Sequence, residues 1–161
     1  MTVTRLLGIG VAAIVAAAPV VAQEGMTPAR AASMRSVGGV ELSPDGRFVV
    51  YSVTVPNLEN STTETDLWLV AVAGGEPIRL TTAKGADDLP RWSPDGKWIA
   101  FRSARDGKPQ IYRISPLGGE AEKLTDSKTG IQTFAWAPDG ARLALVASRD
   151  PTPEEERKQK E

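Results

Sequence analysis

Neither cysteine nor histidine occurs in the 161 residues, and the two absences exclude much of the usual site chemistry. Without thiols there are no disulfides, no thiolate metal sites and no cysteine nucleophile. Without imidazole no Ser-His-Asp or Cys-His pair can be assembled, and the His-rich zinc sites of hydrolytic metalloenzymes are excluded too. An excess of positive charge is also lacking. Nineteen Lys and Arg face 20 Asp and Glu, a formal net charge of -1, which gives no electrostatic basis for a nucleic acid or anionic membrane partner. Long stretches with the 3.6-residue period of an amphipathic helix are absent as well, so helical repeat architectures do not apply.

What is present is apolar material sufficient for one core, 41% of residues, and a single long uncharged run from Leu6 to Ala22. Arg5 precedes it, Leu6 to Ala18 form an apolar stretch, and Val20 and Ala22 put small residues at -3 and -1 of a cleavage site. Residues 1–22 are therefore expected to be an export signal cleaved after Ala22, with a membrane anchor as the alternative. The expected location is the periplasm or the outside, with no membrane contact after cleavage. Residues 23–38 are expected to hold a short helix within Met26–Arg35, with Thr27 as N-cap and Pro28 at its first position, ended by Gly38-Gly39.

An internal repeat organises the rest. Ser43-Pro44-Asp45-Gly46 recurs as Ser93-Pro94-Asp95-Gly96 and Ala137-Pro138-Asp139-Gly140, with the aspartates 50 and 44 residues apart. Gly74-Gly75-Glu76-Pro77 recurs as Gly118-Gly119-Glu120-Ala121, and Leu80-Thr81 as Leu124-Thr125, each 44 apart. The six-residue excess of the first interval falls between Ser52 and Asp66 and reads as a loop insertion. A period of about 44 residues matches a four-stranded propeller blade.

Within each repeat the Pro-Asp-Gly turn closes a hairpin: proline presets φ, aspartate bonds the local backbone and glycine accepts a left-handed conformation. The strand before the turn ends in Leu42, Trp92 or Trp136. The strand after it places Val49/Tyr51, Ile99/Phe101 and Leu143/Leu145 on one face and Val50, Ala100 and Ala144 on the other, which suits a sheet buried on both sides. Third and fourth strands are expected at Asp66–Val72 and Glu76–Leu80, then at Gln110–Ile114 and Ala121–Leu124. The predicted fold is all-β: an incomplete propeller with two complete antiparallel blades at about 39–82 and 83–126, a partial one at 127–149, and a charged loop or tail at 150–161.

Several residues invite a functional reading. Asp45, Asp95 and Asp139 could be taken for calcium ligands, but Pro-Asp-Gly lacks the alternating oxygen donors of a calcium loop, and turn formation explains them. The Gly74-Gly75 and Gly118-Gly119 pairs lack the Gly-Lys-Ser/Thr ending of a phosphate loop and read as turns. Asp87-Asp88 is the one adjacent carboxylate pair in the blades; adjacent loop residues rarely converge on one substrate, so a solvated loop is expected. Trp68, Trp92 and Trp136 fall at repeat-equivalent positions and are assigned, with Trp98, to packing between blades rather than to stacking on sugars or bases. No catalytic, cofactor-binding or metal-ligating residue is expected in this chain.

The Ser-Pro-Asp-Gly repeats resemble the WD40-like blades of the periplasmic Tol propeller and of prolyl oligopeptidase-type serine peptidases. Met26-Thr27-Pro28 through Gly38, running into Leu42-Ser43-Pro44-Asp45-Gly46-Arg47, is similar to the mature start of acylaminoacyl-peptidase and dipeptidyl-peptidase-like enzymes. So is Ser148-Arg149-Asp150-Pro151 with the charged stretch after it. The resemblance implies a parent in which a propeller caps an α/β-hydrolase domain with a Gly-x-Ser-x-Gly nucleophile, reaching a peptide substrate through that domain. No such motif occurs here, so the expectation is a non-catalytic propeller fragment of an exported serine exopeptidase. The alternatives are a Tol-type scaffold that binds a protein partner on the propeller face and an inactive truncated product.

Overall fold

The computed structural model describes residues 26–149, 152, 157 and 158. The expected signal segment and most of the charged C-terminal stretch lie outside the described residues. Among those described, no helix is long and apolar enough to cross a membrane. A short helix, α1 (Pro28–Ala32), comes first among the described residues. Thr27 caps it: Arg30 N donates to Thr27 Oγ1 at 3.2 Å and Ala31 N to Thr27 O at 2.9 Å. Gly38-Gly39 does not end this helix. Both glycines lie inside the first strand, β1 (Ser36–Leu42), which begins three residues before the expected blade boundary.

Among the described residues ten strands form three antiparallel sheets. The first blade is β1, β2 (Phe48–Asn57), β3 (Thr62–Ala71) and β4 (Ile78–Arg79), hydrogen-bonded in chain order. The second repeats that order with β5 (Asp87–Trp92), β6 (Ile99–Ser103), β7 (Gln110–Ile114) and β8 (Glu122–Lys123). The third consists of β9 (Ile131–Trp136) and β10 (Leu143–Ala147). Two four-stranded blades and a two-stranded partial one match the predicted architecture.

The six-residue excess is not a loop. β2 and β3 continue as a paired ladder out to Asn57↔Thr62, so the insertion lengthens a hairpin into an arm. Asn57 and Asn60 build its tip, where their Oδ1 atoms accept from Glu59 N and Thr62 N, and Ser61 takes a left-handed φ of 54°. β3 accordingly starts at Thr62 rather than Asp66. The outermost strands are shorter than expected, two residues each.

Stacking of the sheets makes the core. Val50, Leu67, Leu69 and Leu80 of the first blade bury against Trp92, Ile99, Phe101, Tyr112 and Ile114 of the second. Ala100 and Ile111 of the second blade bury against Ile131 and Phe134 of the third, with Leu89, Trp136 and Leu143 alongside. Each blade thus has a forward face, toward the next repeat, and a rear face, toward the previous one. The alternation expected for Ile99/Phe101 against Ala100 is what separates the two interfaces. Complete burial of a side chain such as Phe101 or Leu67 contributes roughly 1.5–3 kcal/mol.

Among the described residues, burial on both faces holds only for the middle blade, which has a blade on each side. In β6 four of the five residues are buried, whereas β10 is exposed at every position but Leu143.

Candidate functional site

The repeated turns set the geometry of one end of the blades. Ser43 Oγ donates to Asp45 Oδ1 at 2.6 Å and accepts from Arg47 N at 3.1 Å and Phe48 N at 2.9 Å. Gly46 N closes the turn on Ser43 O at 2.9 Å, with Gly46 at a φ of 72°. Ser93, Asp95 and Gly96 repeat the arrangement, with Ser93 Oγ again 2.6 Å from the aspartate and Gly96 N 2.9 Å from Ser93 O. The third turn has Ala137 in place of serine, so Asp139 lacks the hydroxyl donor and keeps the other two, Ala141 N and Arg142, which match Arg47 N and Arg47 Nε at Asp45.

These bonds explain the acidity of the three carboxyls. The Ser43 hydroxyl, then Arg47, holds Asp45 down at about 2. Ser93 lowers Asp95 in the same way, while the Ala141 amide and Arg142 lower Asp139. Lone pairs committed to turn donors are not presented to a ligand. Among the described residues no group of acidic side chains is arranged to hold a metal ion.

Asp87 and Asp88 lie in β5, not on a solvated loop. Strand alternation sends them to opposite faces, so they cannot act together on one substrate. Asp87 is buried, with Oδ2 2.9 Å from Arg105 Nη2 and Oδ1 without a partner. Arg105 in turn lies over the rings of Tyr112 and Phe101, 4.7 and 5.4 Å from their centroids. Asp88 binds Arg102 through both oxygens at 2.8 and 2.7 Å, and Arg102 Nη1 reaches Gln132 O at 2.7 Å in the third blade. Both aspartates therefore anchor arginines that brace the sheets.

Other wholly or partly buried polar groups tie the blades together or brace the strands of one blade. Glu41 Oε2 accepts from Trp92 N at 2.7 Å across the first interface, and burial pushes the Glu41 carboxyl up. Asp66 pairs with Arg79 at 2.6 Å, yet burial outweighs the arginine and raises its carboxyl. The Tyr112 hydroxyl donates to Asp106; burial first, and that carboxylate second, push it up to about 12.

The tryptophans divide. Trp92 is a core residue of the first interface. Trp136 packs on the second core and donates Nε1 to Arg91 O at 3.2 Å. Trp68 is half-buried on the rear face of the first blade. Trp98 is covered by the Arg113 guanidinium, 4.1 Å from its ring centroid, which Glu122 fixes at 2.6 Å.

A groove of about 540 Å³ opens between the first two blades at the turn end, floored by Phe48, Leu69 and Trp92 and rimmed by Ile78 and Leu117. The sequence did not single it out. Its signal is the replacement of the Arg113–Glu122 pair of the second blade by Leu69 and Ile78, the register partners at the same repeat positions of the first.

Comparison with known proteins places these features. Residues 61–160, more than half of the chain, match the Tricorn protease N-terminal beta propeller domain. Dipeptidyl-peptidase 5 of Porphyromonas endodontalis is 37% identical over 91 residues, 56% of this chain and 13% of that protein. The Tol-Pal system protein TolB of Syntrophus aciditrophicus is 48% identical over 48 residues, 30% of this chain and 9% of that one. The solved acylaminoacyl peptidase of Pyrococcus horikoshii superposes with a TM-score of 0.60 at 26% identity, over 72% of this chain and 18% of its own. The chain thus spans a small part of each relative's length. Three copies of one turn, sheets stacked face to face and a family match over 61–160 together assign the chain to the Tricorn protease N-terminal beta propeller domain family.

Proposed function

We propose that this chain is a propeller portion of an exported serine exopeptidase and that its blades restrict access to an α/β-hydrolase domain encoded outside these 161 residues. The supporting observation is that one repeat array resembles both a dipeptidyl-peptidase and an acylaminoacyl peptidase, while its own sequence holds no histidine and no Gly-x-Ser-x-Gly. The chain itself performs no bond chemistry in this reading. It excludes folded proteins and passes short peptides, whose hydrolysis occurs elsewhere in the parent.

The test is size selectivity in the product of the complete reading frame. Short chromogenic peptides are expected to be hydrolysed at least tenfold faster than the same sequence held inside a folded protein. Equal rates would remove the gating role. Export is tested by N-terminal sequencing of the periplasmic or secreted form, expected to begin at Gln23.

The 48% identity with a TolB favours a second reading, a protein-binding scaffold in the periplasm. It forecasts no hydrolysis at all and co-purification of a protein bound on the propeller face.

A further inference from the structure

At the turn end, the groove between the first and second blades and the groove between the second and third use the same repeat positions with opposite chemistry. The first, of about 540 Å³, has Phe48 and Leu69 on its floor and Ile78 on its rim. In the second, of about 430 Å³, the corresponding places belong to Trp98 and Arg113, with Glu122 fixing the guanidinium over the indole. The cations are distributed the other way. Arg47 and Lys97, equivalent residues of successive turns, both line the first groove, whereas Ala141 stands at that repeat position on the far side of the second. An apolar floor under a cationic rim is therefore particular to the first joint among the described residues.

The rim also carries unengaged donors. Arg47 Nε bonds Asp45 Oδ2 at 2.7 Å, but neither Nη holds a partner, and the guanidinium leans over the Phe48 ring, 5.8 Å from its centroid. Lys97 Nζ lies 3.3 Å from Asp95 Oδ2 and keeps further hydrogens for another acceptor. Ser115 Oγ, on the same groove, accepts from Leu117 N at 3.1 Å and has its own hydrogen to give. Asp45, the carboxylate on this rim, already accepts from Ser43 Oγ, Arg47 N and Arg47 Nε. The groove thus offers donors and few acceptors. A guanidinium with both Nη groups open matches a carboxylate in a bidentate pair.

We propose that this groove binds the C-terminal residue of a short peptide. Its bulky apolar side chain lies on Phe48, Leu69 and Trp92, its α-carboxylate meets Arg47 and Lys97, and Ser115 donates to the carbonyl of the residue before it. The volume falls in the ~300–1,000 Å³ range of small-ligand sites, whereas a folded partner needs a surface of roughly 800 Å² on each side. A fatty acid would satisfy the floor and the cations but has no second carbonyl for Ser115. The inference does not rest on the peptidase reading, because the groove lies within these blades and uses no catalytic group.

The test is fluorescence anisotropy of the peptide Gly-Ser-Gly-Phe, dye-labelled at its N-terminus, titrated with the 161-residue chain. Binding is expected, and it should weaken about tenfold when the terminal carboxylate is replaced by the amide. Arg47→Gln and Lys97→Gln should each weaken binding of the acid and together erase its advantage over the amide. Both side chains are 75% exposed, so neither substitution endangers the fold. Ile78→Glu, also at an exposed position, puts on this rim the carboxylate that the second blade carries as Glu122 and should repel the acid more than the amide. Acid and amide that bind alike would overturn the proposal, and so would binding that ignores all three substitutions. Absence of binding by a chain with a β-sheet circular dichroism spectrum would overturn it outright. Displacement of the probe by decanoate at a lower concentration than by unlabelled peptide would overturn the assignment to a peptide.

Discussion

Replacing Gly39 by alanine tests the joint between the first two blades at a single atom. Gly39 has a φ of 55°, and a Cβ built there would lie 2.7 Å from Pro90 Cδ, closer than side-chain carbons tolerate. Pro90 is fully buried in β5 and its ring cannot swing away. Placing alanine in the left-handed region costs about 1–2 kcal/mol, and forcing a methyl into a packed site a further 1–3 kcal/mol, so Gly39→Ala is expected to lose about 2–5 kcal/mol. Gly46→Ala is the control: its φ is 72°, but nothing lies within 4 Å of the added methyl, so only the backbone cost of about 1–2 kcal/mol applies. Urea unfolding of both variants and of the double variant Gly39→Ala/Pro90→Ala reads the difference, with the Pro90→Ala single variant completing the cycle. Coupling between positions 39 and 90 should recover most of the excess loss. Equal losses for Gly39→Ala and Gly46→Ala, with no coupling to Pro90, would refute the close approach of the two inner strands.

Three further outcomes follow from the same contacts. Phe101→Ala empties a fully buried site that also stacks on Tyr112 with centroids 6.0 Å apart, and should cost about 3–5 kcal/mol in urea unfolding. Arg105→Met leaves the buried Asp87 carboxylate unpaired; it should destabilise by about 3–5 kcal/mol, whereas Asp87→Asn in the same background should restore part of the loss. The Asp45 carboxyl, held at about 2 by Ser43 and Arg47, lies below its ordinary value of 3.8, so the stability it contributes is present above pH 4 and is lost as pH falls through 2. Carbon-detected NMR titration should show Ser43→Ala moving that midpoint up toward 3.8, and an unmoved midpoint would remove the hydroxyl as the main cause.

The turns were legible because each residue acts locally. Proline sets φ, aspartate bonds the next amides and glycine turns left-handed, all within a few residues of chain, and three copies of the pattern gave the blade period. The alternation of Ile99, Ala100 and Phe101 was legible for the same reason. The role of Asp87 was not, because its partner Arg105 lies 18 residues away on the far side of a hairpin, and two adjacent carboxylates read naturally as solvated. The arm was missed because Thr62-Thr63-Glu64 is polar enough to pass for a loop; its order comes from cross-strand pairing with Val55, Pro56 and Asn57.

A subtler omission is the bulge in each inner strand. Register shifts between Gly38 and Glu41, and again between Asp88 and Arg91 at the repeat-equivalent place. Glycine fills the left-handed position in the first blade. Leu89, with a φ of 50°, fills it in the second, at a cost of roughly 1–2 kcal/mol, and packs its side chain on the second core. Glycine at 39 signals such a conformation in sequence, but leucine at 89 does not.

In the proposed function these blades serve a serine peptidase whose catalytic residues lie outside them. Fluorophosphonate labelling of the product of the complete reading frame, followed by peptide mapping, measures this directly. The expected result is one labelled serine beyond residue 161, with the isolated chain unlabelled. A full product that takes no label, or a label mapped to a serine within these blades, would contradict it.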